Sequence, residues 1–439
     1  MEILVINGAI IINESRERMS ILKKILKNKA MKNGIWLYLM QIFNTVIPLL
    51  TLPYITRILG AGQYGIFSIA INLLGYFQVI VEYGFGMSAT RKVALSEKKD
   101  RQLNKIFTTV LVSRIFLFVI CCIITGVYFI INKSNIAEKL CLIILMIALL
   151  GNCIQLNWLF QGMQQMQFIS IISIVSRTIS VILTFVFVNS AEDLFLYCLL
   201  YSAAPFINGV LGIVIAKKQY NLCISKISIY DVLLELKEGW YVFTTQLSSK
   251  VFGAIGITFL GIYASNAEVG IYSAINKLPN MIILAWVPIA QVMYPISSKK
   301  MKDSFENGTK FVKKMQIIIL PLAIIGVTIV SVFSNPIIKI AFGKEYASYS
   351  YWVIPLLIWL IVSINNNFWG IQTLLASGHD KEYSKCFQIG VVCTIFFNLS
   401  LIYFFGGNGA CIAPLLSESI LGLLLFKEIN KIKKEMLRS

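Results

Sequence analysis

Twelve apolar stretches of membrane-spanning length run through this chain, and the positive charge between them falls almost wholly on alternate connections. A bilayer core takes about 20 apolar residues per helix. That length predicts spans at 34–54, 64–86, 106–131, 139–159, 169–188, 194–216, 240–263, 271–295, 315–334, 351–372, 387–406 and 408–427. Of the 39 Lys and Arg, 30 lie in the N-terminal tail, the even-numbered connections and the C-terminal tail. Five lie on odd-numbered connections (Arg57, Lys133, Lys139, Lys339, Lys344) and four inside spans (Arg114, Arg177, Lys250, Lys277). Lys and Arg are retained on the cytoplasmic side of a membrane, so both termini are expected there. The expected protein is all-α and multi-pass, set in a bacterial cytoplasmic membrane.

The coarser numbers agree. With 57% hydrophobic and 14% charged residues the chain lies far from the soluble average. A net charge of +18 would suit nucleic acid, but here it sits in short connections such as Arg91, Lys92, Lys98, Lys99, Arg101 and Lys105. Orientation and attraction to anionic lipid heads account for it, and no nucleic-acid partner is expected. The nine Cys lie mostly in apolar spans, with Cys223 and Cys386 expected on cytoplasmic loops, so no disulfide framework is implied. Residues 3–12 are apolar but are followed by Glu14, Arg16, Glu17 and Arg18, which is not the pattern of a cleavable signal. The segment from Ile21 to Lys27 reads as a basic amphipathic lead-in lying on the membrane surface. The organisation expected is a tail at 1–33, a six-helix bundle at 34–216, a linker at 217–239, a second bundle at 240–427 and a basic tail at 428–439.

What the connections lack narrows the function. The longest, 217–239, is too short for an independent core, which usually needs about 40 residues. The single His, His379, stands beside Gly378 and Asp380 on a cytoplasmic connection, so neither a His-based metal site nor an acyl-transfer dyad is expected. No Asp lies in any span, which excludes a paired-aspartate intramembrane protease. There is no P-loop, and no cofactor or metal is expected. Transport, a channel or a scaffold remain.

An internal duplication favours transport. Gly65-Ile66-Phe67-Ser68 opens the second span with Asn72 further in, and Gly270-Ile271-Tyr272-Ser273 opens the eighth with Asn276 at nearly the same offset. Basic connections follow each, containing Lys99-Asp100 and Lys302-Asp303. An even number of spans returns the chain to the same face, so the halves are expected as parallel six-helix bundles around a central cavity. Pro48 and Pro53 in the first span and Pro279, Pro288 and Pro295 in the eighth read either as hinges or as the ordinary enrichment of Pro in membrane helices.

Charges within the spans are the sharpest clue, because an intramembrane charge usually faces a cavity or a partner. At a rise of 1.5 Å per residue, Arg114 and Arg177 lie about 12 Å from the cytoplasmic ends of their spans and Lys250 about 15 Å, while Lys277 is closer to the outer end. Glu82 lies near the cytoplasmic end of the second span and Glu418 at mid-depth of the twelfth. Four cations against two carboxylates suit an anionic substrate such as a phosphate or pyrophosphate. Each has a plainer reading: Arg114, Lys277 and Glu82 as snorkelling residues, Lys250 and Glu418 as a structural ion pair. Arg177, flanked by Ser176, Thr178 and Ser180, reads as part of a wet face. Trp36, Trp158, Trp240 and Trp352 read as interfacial belt residues. Trp286 and the run Asn365-Asn366-Asn367-Phe368-Trp369 fit either sugar or lipid contact or helix packing.

The run from Gln41 to Gly60 (QIFNTVIPLLTLPYITRILG), then Tyr64-Gly65, then Glu82 to Arg91 (EYGFGMSATR), resembles the start of the O-antigen and polysaccharide repeat-unit flippases of the Wzx type. These belong to the multidrug/oligosaccharidyl-lipid/polysaccharide exporter superfamily. The motif covers residues 33–95, and beyond it the likeness is one of architecture. The resemblance implies a transporter that moves an undecaprenyl-pyrophosphate-linked oligosaccharide to the outer leaflet by alternating access, coupled to an ion gradient. A polysaccharide polymerase and a chain-length regulator are the partners it implies, and Arg57 and Glu82 match charged positions of its opening motif. On sign and depth, Arg57, Arg114, Arg177, Lys250 and Lys277 are the candidate substrate contacts and Glu418 and Glu82 the candidate coupling carboxylates. Two alternatives stand beside this reading. A multidrug or cation antiporter of the same superfamily would want an acidic pocket. A membrane-embedded polysaccharide polymerase or ligase would want a substantial outer loop with Arg or His.

Overall fold

The computed structural model describes residues 29–96, 100–131 and 135–436; the amphipathic stretch at 21–27 lies outside them. Among the described residues the chain is helical almost throughout, with no strand. That is the solution lipid imposes, since a helix satisfies its backbone groups internally. The first half comprises α1 (Lys29–Glu82), α2 (Phe85–Leu95), α3 (Asp100–Ile131), α4 (Ile136–Ile154), α5 (Asn157–Gly162), α6 (Met166–Phe187) and α7 (Leu194–Tyr220). The second comprises α8 (Ile229–Tyr263), α9 (Asn266–Ile275), α10 (Lys277–Asp303), α11 (Phe305–Val332), α12 (Ser334–Ala341), α13 (Lys344–Ala347), α14 (Val353–Trp369) and α15 (Asp380–Met436). Nine helical stretches among the described residues are long and apolar enough to cross a membrane.

Two of these are double length. Helix α1 breaks at Gly60 (φ 69°) and α15 at Gly406 (φ 53°). Both are left-handed conformations that glycine alone takes at little cost. Each long helix therefore supplies two of the expected spans. The prolines expected as hinges do not interrupt their helices: Pro48 and Pro53 lie inside α1, and Pro288 and Pro295 inside α10. Pro279 sits in the first turn of α10, where its missing N–H costs nothing.

Three other boundaries differ from expectation. The connection expected at 217–239 is non-helical only over 221–228, because α8 starts early on a capping box between Ser228 and Asp231. The fourth span stops at Ile154 and turns into the short α5. Cys386 is not on a loop but buried within α15.

In the first half, α4 packs on α7 and α1, and α6 on α7; in the second, α14 packs on α15, α10 on α11 and α8 on α15. The halves meet where α9 crosses α1. The cores reflect this. One large core joins both halves, running from Leu52 and Tyr64 to Tyr272 and Trp352. Two smaller cores stay almost wholly within one half each: Phe85, Trp158 and Phe160 in the first, Leu374, Leu421 and Leu425 in the second.

The two ends of the molecule differ in how the halves are held. At the end opposite the basic connections, the two repeated glycine motifs meet back to back. A Cβ on Gly65 would strike the Asn266 carbonyl, and a Cβ on Gly270 the Ala61 carbonyl. Only two glycines at this crossing let the backbones touch. Around it, the Glu345 carboxylate accepts from the Ala61 N–H at 3.1 Å, Tyr346 Oη donates to the Thr56 carbonyl at 3.4 Å, and Arg57 donates to the Ile340 carbonyl. At the basic end the ties are side-chain ion pairs from the first half to α8: Lys92 to Glu235 at 2.6 Å and Glu238 at 2.8 Å, and Lys105 to Asp231 at 2.8 Å. Tyr83 stacks on Phe243 beside them, centroids 4.5 Å apart.

Candidate functional site

The cations expected in the membrane divide into two kinds. Arg114 is 5% exposed and spends its guanidinium on backbone: Nη1 donates to the carbonyls of Gln155 at 2.8 Å and Asn152 at 3.4 Å. Those carbonyls are freed where α4 ends, and a cation there also meets the negative end of the helix dipole. Its carbon Cζ lies 5.9 Å from the Phe85 ring centroid. The structure thus places Arg114 in packing and not at a cavity. Arg57 likewise caps a carbonyl, that of Ile340, at the crossing of the halves.

Arg177, Lys250 and Lys277 are different. Arg177, half-buried on α6, donates from Nη1 to Asn44 Oδ1 at 2.7 Å and so reaches the arm of α1 that precedes Gly60. Lys250 on α8 extends its amine over Gly75 of the second arm, where even a Cβ would meet its Cε at 2.7 Å, and lies 5.5 Å from the Tyr76 ring centroid. Lys277, exposed at the start of α10, acts electrostatically on Lys250. Among the described residues no carboxylate lies within ion-pair distance of these three. Three cations at mid-depth without a counter-charge make a place for an anion.

The arm of α1 that carries Asn44 has no buried residue from Lys32 to Leu50. It is tied to α6 by the Arg177 bond and by Ser170 Oγ, which donates to the Trp36 carbonyl at 2.8 Å. Beyond the lysines the second arm is bound tightly to α8, with Asn72 Nδ2 donating to Thr258 Oγ1 at 2.9 Å.

The carboxylates are not brought to these cations. Glu418 is 5% exposed, accepts from Asn366 Nδ2 at 3.1 Å and has Ser363 and Trp359 as further hydrogen-bond partners. Lys250 and Glu418 do not form the ion pair considered from sequence, because each faces a different neighbour. Glu82 accepts from Gln78 at 2.9 Å, one turn back on its own helix, and acts on Arg114. The asparagine run is packing: Asn365 accepts from Gln316 at 2.6 Å and Asn366 serves Glu418. Trp286 is buried against Phe368, centroids 5.1 Å apart. Sequence reasoning missed Asn44, Gly75 and Tyr76, and only the glycine inside an apolar span was a signal of close approach.

Outside the spans, Lys105 and the Ser228 N–H hold the Asp231 carboxyl down at about 2, so the tie at the basic end stays ionised at any physiological pH.

Comparison with known proteins adds the following. The sequence profile of the family described as "Polysaccharide biosynthesis protein" matches residues 30–301. A protein of Escherichia coli (strain K12) named a candidate O-antigen transporter is 29% identical over 413 residues, covering 91% of this chain and 97% of that one. Among solved structures, "Lipid II flippase MurJ, inward closed conformation" superposes with a TM-score of 0.71 at 14% identity, covering 91% of this chain and 87% of the other. The inward-facing conformation of a multidrug resistance MATE family transporter follows at 0.64 and 13%, with 89% and 99% covered. At such identities these two show the fold alone.

Proposed function

The chain belongs to the polysaccharide biosynthesis protein family, and from that premise we propose that it is a flippase. Its cargo in this reading is an undecaprenyl-pyrophosphate-linked oligosaccharide, carried from the inner to the outer leaflet of a bacterial cytoplasmic membrane for a surface polysaccharide. The carrying observation is the set of mid-depth cations, Arg177, Lys250 and Lys277, without carboxylate partners. The basic end would face the cytoplasm, with both termini there and twelve spans once α1 and α15 are each counted twice and α8 is included. Anionic lipids would gather at that face, and a polymerase and a chain-length regulator would act on the delivered units.

The geometry supports alternating access. The halves share backbone contact at the outer end and keep separate cores near the basic end, which is the arrangement of a carrier waiting for cytoplasmic cargo. The pyrophosphate would enter between Arg177 and the lysine pair, each exchanging water or amide for phosphate oxygens. The polyprenyl chain would stay in lipid beside the exposed first arm of α1. Release on the far side requires the Gly65–Gly270 crossing to part while the basic end closes. Glu418, buried among neutral donors, is the candidate to carry a coupling proton, with Glu82 second.

A cation or drug antiporter is the second reading. It needs an exposed carboxylate in the central region, and Glu418 is turned into α14. The deciding experiment is binding of undecaprenyl diphosphate to the purified chain in nanodiscs. Wild type should bind, and Lys250→Ala with Lys277→Ala should bind about 10- to 100-fold more weakly, the value expected for losing contacts to a charged group. Equal binding by both proteins would rule out the lysine site; tight binding of organic cations instead would favour the antiporter.

A further inference from the structure

The second half contains an open-sided pocket of about 540 Å³, lined by α8, α9, α10, α14 and α15. Its rim includes Gly253 and Asn280, both exposed, and its floor includes Thr394, Asn398 and Ser417, all buried. Asn398 is 1% exposed, yet its Oδ1 has no hydrogen-bond partner. An unpaired buried carbonyl costs free energy unless a ligand or water completes it, so this atom points to an occupant. Gly256 keeps the approach open: a Cβ there would stand 3.0 Å from Asn398 Oδ1 and 3.3 Å from Tyr272 Oη.

The chemistry of the wall defines that occupant. Asn276, Asn280, Thr394, Asn398 and Ser417 offer neutral donors and acceptors, and Phe252, Tyr272 and Trp359 offer aromatic surface. No carboxylate is in the lining, which disfavours a desolvated cation and suits a neutral, hydroxyl-bearing ring. Its position matters equally. Gly253 is three residues after Lys250 on α8, and Asn276 immediately precedes Lys277, so the rim lies about one helical turn, near 5 Å, from the lysine pair. In a lipid-linked glycan the first sugar is bonded directly to the diphosphate. We propose that this pocket takes that first sugar while Lys250 and Lys277 hold the diphosphate. The inference rests on the flippase reading and adds a carbohydrate subsite to it.

Gly253 provides a clean test, because a Cβ at that position meets nothing within 4 Å. Gly253→Leu should fill the pocket without disturbing the empty protein. The probes are undecaprenyl diphosphate alone and the same lipid carrying one glucose, galactose, N-acetylglucosamine or N-acetylgalactosamine. Binding is measured on the full chain in nanodiscs, with Na⁺ present or replaced by choline. At least one sugar should tighten wild-type binding about tenfold over the bare lipid. Gly253→Leu, and independently Asn280→Ala at the exposed rim, should bring that probe back to the bare value. Lys250→Ala should weaken bare and sugar-bearing lipids by the same factor and leave their ratio intact. Five probes binding wild type alike would overturn the subsite while leaving the diphosphate reading standing. No binding of any probe would remove the flippase reading itself. Variants that keep the sugar preference and lose only a response to Na⁺ would assign the pocket to a cation and overturn the proposal.

Discussion

The two ends of this molecule hold its halves together by different means. At the outer end the contact is backbone on backbone, made possible by Gly65 and Gly270 and surrounded by bonds from Glu345, Tyr346 and Arg57. At the basic end it is long side chains, Lys92 and Lys105 reaching Glu235, Glu238 and Asp231. A backbone crossing is specific and all-or-none, since one added methyl group forbids it. Side-chain ion pairs are adjustable and individually weak, about 0–1 kcal/mol where exposed. The difference teaches which end is built to seal and which to flex.

The sharpest way to break this contrast is to obstruct the crossing. Gly65→Leu or Gly270→Leu should prevent the outer end from closing, at a cost of about 1–3 kcal/mol for the closed state. Flipping should fall roughly 10- to 100-fold while protein abundance in the membrane holds. A disulfide formed between cysteines placed at Ala61 and Asn266 should disappear with it. Normal crosslinking in Gly65→Leu would show that the crossing is not the seal.

Next in size comes a comparison between two arginines of similar expected depth. Arg114→Ala leaves the Gln155 and Asn152 carbonyls without their donor and should lower thermal stability by about 2–3 kcal/mol, with transport per folded molecule little changed. Arg177→Ala should do the reverse, sparing stability and cutting transport. Thermal unfolding in detergent beside a flipping assay separates them, and identical profiles would erase the distinction drawn between packing and site.

The smallest effect belongs to the basic end. Lys105→Ala should change transport less than about threefold and make it less sensitive to salt. The Asp231 carboxyl sits at about 2 when folded, below its unfolded value near 4, so its contribution is complete above about pH 5 and is lost only as pH falls through 2. Transport measured between pH 5 and 8 should therefore show no step that Asp231→Asn removes; such a step would contradict the assignment of this tie.

Much of the architecture was legible in the primary structure, because apolar run length and loop charge are direct consequences of lipid. The pairing of Gly65 with Gly270 was visible as a repeat, though not as a contact. The breaks were less legible. Pro48 and Pro53 drew attention from Gly60, yet a proline inside a helix can leave its dihedrals helical whereas a left-handed glycine cannot. The α4 terminus at Ile154 has no Gly or Pro beside it, so nothing announced the free carbonyls that claim Arg114. Depth along a helix gives no azimuth, which is why Arg114 and Arg177 read alike and why Lys250 and Glu418 seemed partners. The polar pocket was invisible because its wall comes from four separated stretches, 252–256, 272–280, 356–359 and 394–417.

The central claim is that mid-depth cations move a lipid diphosphate across the membrane. It is tested most directly in liposomes reconstituted with the purified chain, by following transfer of a fluorescent undecaprenyl-diphosphate oligosaccharide between leaflets. Wild type should raise the transfer rate well above protein-free liposomes. The Lys250→Ala, Lys277→Ala double variant should lower that rate at least tenfold at equal protein density. A double variant as fast as wild type, or a wild type no faster than lipid alone, would contradict the account.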